Sequence, residues 1–207
     1  MLVRIHPDNP DERKIDQVVK CLRDGGVVIF PTDTLYAIGA DLTKHKALEK
    51  VAKLKGIELK EANFSIICQN LSHLADYAKQ IDTPTYKVLK RAFPGPFTFI
   101  LSASSMVPKL FNNKKKTIGI RVPNNKIALQ LVESLGNPLL STSVTADEDE
   151  VIEYSTNPEL IYEKYEHLVD MVIDGGIGSA EGSTVVDFSS GELELVRAGS
   201  GDINDLY

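Results

Sequence analysis

Val27-Val28-Ile29-Phe30-Pro31-Thr32-Asp33-Thr34-Leu35-Tyr36-Ala37-Ile38-Gly39 is the stretch that decides the fold class. Val27–Phe30 is a wholly apolar run after Gly25-Gly26, the pattern of a short strand buried on both faces. Pro31 has no N–H to give a ladder and ends it. Thr32, Asp33, Thr34 and Tyr36 then set four oxygen-bearing side chains just past the strand, and Gly39 reads as the residue that lets the chain turn. Open α/β sheets hold their ligands at such strand ends. An Asx-type turn that merely caps the next element is the plainer reading.

Working outward, Val3–Ile5 reads as a strand, and Pro10-Asp11-Glu12 opens a helix whose Ile15, Val18, Val19 and Leu22 keep helical spacing. Downstream, helices are expected over 44–55, 71–78, 83–92, 125–135 and 160–166. Strands are expected over 64–68, 97–101, 117–122, 139–142 and 169–173, with a closing hairpin of 184–188 and 193–196. Residues 145–158 are polar and acidic and read as a mobile segment. No repeat or linker divides residues 1–207, so the alternation predicts a single α/β domain with a mixed sheet flanked by helices.

A net charge of −6 and a pI near 5.3 argue against a protein that coats nucleic acid. Local cations exist nevertheless: Lys114-Lys115-Lys116 with Lys109 upstream, and Lys53, Lys55 and Lys60. These can meet phosphates, or simply be solvated surface lysines. No apolar run nears the roughly 20 residues of a membrane helix, and Met1–Pro7 lacks a signal-peptide core. Cys21 and Cys68 form no CxxC, and His6, His45, His73 and His167 have no zinc spacing. The expectation is a cytoplasmic protein with reduced thiols and no protein-held metal.

Five polar clusters stand at the ends of expected elements: Thr32–Tyr36, Lys53–Lys55, Thr117–Pro123, Leu140–Ser143, and Gly182–Asp187 with Val196–Gly199. Alternation puts Thr117, Gly119 and Arg121 on one strand face, and likewise Ser141 and Ser143. An arginine between apolar neighbours needs an anionic partner, met either by an internal acid or by a ligand carboxylate. Arg197 offers positive charge, or pairs with Asp187 across the hairpin. There is neither a GxSxG elbow nor a GxxxxGK[ST] loop. Hydroxyls, lysines and two arginines suit the binding and alignment of anions.

Seven segments in order carry a resemblance: Phe30–Tyr36, Phe93–Leu101, Gly119–Pro123, Ser141-Thr142-Ser143, Asp174-Gly175-Gly176, Ser183–Asp187 and Val196–Gly199. Together they resemble the YrdC/YciO family over nearly the whole chain, from about Ile5 to Gly201. Ile5-His6-Pro7-Asp8-Asn9-Pro10, and Asn63-Phe64-Ser65 where the synthases of the family have Asn-Pro-Leu, look closest to its YciO branch. The resemblance implies a twisted α/β sheet around a concave, positively lined cavity. It further implies a threonylcarbamoyl-AMP synthase, a nucleotidyltransferase that condenses L-threonine, bicarbonate and ATP with release of pyrophosphate, for modification of adenosine in tRNA. By position, Thr32, Arg121, Ser141 and Ser183 would hold threonine, while Lys55, Thr117, Ser143 and Arg197 would contact ATP, its phosphates bridged by Mg²⁺. Lys55 would be the catalytic residue, offsetting charge on the phosphates.

Two positions depart from the synthase pattern: Ile57 stands where Lys-x-Arg has its arginine, and Thr145 where Ser-x-Asn has its asparagine. Both fall in the nucleotide half. The alternative they leave open is a non-catalytic protein that binds double-stranded RNA or tRNA through the same cavity and the Lys114–Lys116 run.

Overall fold

A computed structural model describes residues 1–58, 64–79, 81–108, 116–144 and 152–207. In chain order its elements are β1 (Leu2–Arg4), α1 (Glu12–Arg23), β2 (Val28–Phe30), β3 (Ala37–Asp41), α2 (His45–Leu54), β4 (Ser65–Ile67), α3 (Leu71–Tyr77), α4 (Thr83–Ala92) and β5 (Phe97–Ser102). There follow β6 (Thr117–Arg121), α5 (Lys126–Leu135), β7 (Leu139–Ser143), α6 (Glu153–Thr156), α7 (Pro158–Tyr165), β8 (Met171–Asp174), β9 (Thr184–Asp187) and β10 (Glu194–Arg197). The strands form one mixed sheet in the order β1-β8-β2-β3-β7-β4-β6-β5-β9-β10.

Helix ends follow from local chemistry. The Asp11 carboxylate accepts the N–H of Arg13 to start α1, and the Asn125 side chain accepts that of Ala128 to start α5. Along α1, Ile15, Val18, Val19 and Leu22 are all buried, as their spacing requires, and they pack with Ile127, Leu131 and Phe30 against one face of the sheet. The opposite face carries a second core in which Leu48, Val51 and Leu89 meet Ile38, Ile66 and Phe99. No helix among the described residues is long and apolar enough to cross a membrane.

The sequence reading is corrected at β3. Gly39 is no turn but the middle of a strand paired with β2 and β7 on its two sides. Glycine is required there by close approach: a Cβ would come within 2.6 Å of both the Leu140 carbonyl oxygen and Phe30 Cε1. Of the stretch expected to be mobile, 145–151 lie outside the described residues, whereas Glu153–Thr156 form α6.

Register explains the cavity described next. Gly39, Ser141, Ser65 and Gly119 face one another in turn across β3, β7, β4 and β6. The small residues of β7, β4 and β6 leave the α1/α5 side of the sheet hollow where those helices no longer cover it, whereas the space over Gly39 is taken by the Phe30 ring.

Candidate functional site

The hollow is a cavity of about 390 Å³. Its walls include Thr34, Ser65, Thr98, Thr117, Ser141, Ser143 and Ser183, together with Arg121 and Arg197, and none of the described residues lining it is acidic. Of the predicted site residues, the structure therefore brings Arg121, Ser141, Ser183, Thr117, Ser143 and Arg197 to one surface. Thr32 and Lys55 are not among the residues that line it. Thr32 Oγ1 donates to the Leu35 carbonyl and accepts the Thr34 N–H, so it shapes the turn after β2, and Thr34 is the hydroxyl on the wall. Lys55 follows the last residue of α2, and its Nζ donates to the Ser143 carbonyl at 3.1 Å.

Arg121 is the electrostatic centre. Its side chain is only 8% exposed. Nη2 donates to Asp33 Oδ1 and to Thr34 Oγ1, each at 2.9 Å. Because Thr32 gives its own proton to Leu35, Thr34 must give its proton to Thr32 Oγ1 at 3.1 Å, which orients the whole chain of donors. The other Asp33 oxygen accepts the Asn124 N–H at 2.9 Å, tying the turn after β2 to the one after β6. Of the two alternatives left by the sequence, the internal acid is the one observed. An internal acid meets one nitrogen, while Nε is buried with no partner. Burial pulls the Arg121 pKa down, Asp33 opposes it, and the nearby charge of Arg197 adds to it. Two guanidiniums on one concave wall attract an anion.

Arg197 donates from Nη2 to the Ser183 carbonyl at 3.0 Å, and across the hairpin Glu194, not Arg197, faces Asp187. Ser183 Oγ lies 2.7 Å from Thr98 Oγ1, and Ser65 Oγ donates to the Ser141 carbonyl at 3.2 Å. Thr98 and Ser65 lay outside the polar clusters read from sequence, and Thr34 and Asp33 fell within the first of them without a role of their own. Alternation along β5, which sets Thr98 beside Arg121 on the cavity face, was the signal available for that residue.

Among the described residues no three His, Cys, Asp or Glu gather in a way that could hold a metal. The Asp147–Glu150 run, Lys60, Lys109, Lys114, Lys115 and Thr145 lie outside the described residues. Lys116 is exposed just ahead of β6, and Ile57, beyond the end of α2, is 42% exposed.

Comparison with known proteins finds the same fold in solved structures. The Sua5/YciO/YrdC family model, described as telomere recombination, matches residues 20–199. YciO of Escherichia coli K12, itself uncharacterized, is 40% identical over 201 residues, which are 96% of this chain and 95% of that protein. The crystal structure of E. coli YciO superposes with a TM-score of 0.92 at 36% identity, covering 100% of this chain and 99% of that one. Threonylcarbamoyl-AMP synthase of Mus musculus is 35% identical over 86% of this chain and 64% of its own length. Pyrococcus abyssi Sua5 complexed with L-threonine superposes with a TM-score of 0.89 at 26% identity, over 100% of this chain and 59% of that one. A hollow built of small residues, floored by hydroxyls and guarded by two arginines, accompanies that match over most of the length. The chain belongs to the Sua5/YciO/YrdC family.

Proposed function

We propose that the chain is a threonylcarbamoyl-AMP synthase-type nucleotidyltransferase acting on L-threonine, bicarbonate and ATP, its product destined for adenosine in tRNA. The observation that carries this reading is the pair of arginines, Arg121 and Arg197, on a cavity wall without acidic residues among its described lining. A fixed guanidinium donor of this kind suits a small carboxylate. The reading is supported by a family member of 26% identity that binds L-threonine.

In this reading Arg121 takes the threonine carboxylate, with Ser141 and Ser183 beside it, and Arg197 faces the nucleotide phosphates with Thr117 and Ser143. Mg²⁺ arrives with ATP as the counter-ion of its phosphates. Bicarbonate and the threonine amine condense with loss of water to a carbamate, and one carbamate oxygen attacks the α-phosphorus. That oxygen–phosphorus bond forms as the bond to pyrophosphate breaks. No described residue lining the cavity is placed as a base, so the chain contributes alignment and positive charge, Lys55 adding its ammonium from the end of α2. Pyrophosphate release from ATP should depend on both threonine and bicarbonate. Arg197→Ala should slow it by raising the ATP concentration needed. Release no greater than with ATP alone, at saturating threonine and bicarbonate, would remove the proposal.

Ile57 marks where the nucleotide half is weakest. Restoring the arginine of the family pattern adds one charged donor at an exposed position two residues after Lys55. Ile57→Arg should therefore tighten ATP roughly tenfold, by about 1.5 kcal/mol, the size of one hydrogen bond to a charged group. Calorimetric titration with ATP and Mg²⁺ checks it, and an unchanged dissociation constant would place residue 57 away from the phosphates.

A further inference from the structure

Gly119 sits in the middle of β6, opposite Ser65 of β4 on one side and Ile100 of β5 on the other. Nothing in the backbone asks for glycine there. It is absent from the positive-φ residues, and both ladders run through it without a bulge. An interior strand glycine weakens a sheet and gives neighbours nothing to pack on, so it commonly marks a bulge, a bend or a close approach. With the first two excluded, close approach remains. A Cβ at Gly119 would stand 3.2 Å from Ser65 Cβ and 3.3 Å from Thr98 Cγ2, so even a methyl group closes the gap between those walls. The gap opens onto the cavity, on the strand face that also carries Arg121.

We propose that Gly119 sets the size of the acid the cavity accepts. The skeleton of the amino acid whose carboxylate meets Arg121 lies against the bare strand at Gly119. Its side chain falls among the hydroxyls of Ser65, Thr98 and Ser183. This rests on the reading of the cavity as an amino-acid site. The hydroxyls add a second selection. Between Thr98 and Ser183, 2.7 Å apart, one proton is used in the pair and the other is left to give. Ser65 spends its proton on the Ser141 carbonyl and keeps lone pairs to accept. A floor that both gives and takes suits glycine, serine or threonine. A long apolar side chain would bury these hydroxyls unpaired as well as strike the strand.

The test is calorimetric titration of glycine, serine and threonine, with ATP and Mg²⁺ present, into the full-length wild type, Gly119→Ala and the double variant Thr98→Ser/Gly119→Ala. The double variant removes the methyl that the new Cβ meets and keeps the hydroxyl, so it reports even if Gly119→Ala alone does not fold. The expected result is a loss graded by size: threonine weaker by at least roughly tenfold, serine by less, glycine within about twofold, as one methyl group in a close-fitting pocket dictates. An equal loss for all three acids, or none, overturns the role of Gly119 and leaves the amino-acid site standing. No binding of any of the three to the wild type removes that site, and the role of Gly119 with it.

Discussion

Asp33→Ala should lower the free energy of unfolding by about 3–5 kcal/mol, the usual cost of removing one partner from a buried ion pair. The pair is well defined: 2.9 Å between Arg121 Nη2 and Asp33 Oδ1, with side chains 8% and 10% exposed. The loss has two parts. Arg121 keeps its charge in surroundings that already pull its pKa down by burial, and the Asn124 N–H loses the oxygen that holds the turn after β6. Because Arg121 also borders an open cavity, water entering that space can solvate part of the released guanidinium, which points to the lower end of the range. Asp33→Asn should fall between alanine and wild type, since its amide oxygen can still accept from Asn124. Urea unfolding measures all three, with the slope unchanged and the midpoint shifted. A loss under about 1 kcal/mol for Asp33→Ala would mean the pair contributes no more than a solvated surface contact.

How much of this was legible before the coordinates depended on the range of the interactions involved. The periodicity of Ile15, Val18, Val19 and Leu22 gave α1 because one helix face meets one core, and the apolar run of Val27–Phe30 gave β2 for a similar reason. Ala37–Asp41 was missed. Ala-Ile-Gly-Ala-Asp has weak strand preference, and its extended form comes from pairing on both edges, which no local pattern reveals. Gly39 was misread for the same reason, since the Phe30 ring and Leu140 carbonyl that exclude a side chain come from other strands. In the site, the two-residue period of β6 correctly put Thr117, Gly119 and Arg121 on one face. The partner of Arg121 was visible only as an unmet need. Asp33 lies 88 residues away, and choosing it over any other carboxylate requires the sheet order. Thr98 stayed hidden because a hydroxyl between Phe97 and Phe99 looks like core filler until β5 is seen flanking the cavity.

The largest functional effect should follow from Arg121→Met, which keeps an unbranched chain and removes the charge. Threonine affinity should fall by at least about thirtyfold, since truncating one side of a buried, hydrogen-bonded charge contact costs roughly 2–5 kcal/mol. Read alone, that loss is ambiguous. The same substitution leaves Asp33 buried without its cation, so part of any lost binding could be lost folding. Asp33→Asn/Arg121→Met separates the two. An amide opposite a thioether leaves no unpaired charge and retains an oxygen for the Asn124 N–H, so this double variant should unfold close to the wild-type midpoint. It should still bind threonine at least about thirtyfold more weakly, because the guanidinium on the cavity wall is gone. Asp33→Asn alone keeps that donor and should bind within about tenfold of wild type, since it loses only the group that steadies Nη2. A folded double variant that binds threonine as the wild type does would make the Arg121–Asp33 contact a structural tie alone and move the carboxylate site to the Arg197 side of the cavity.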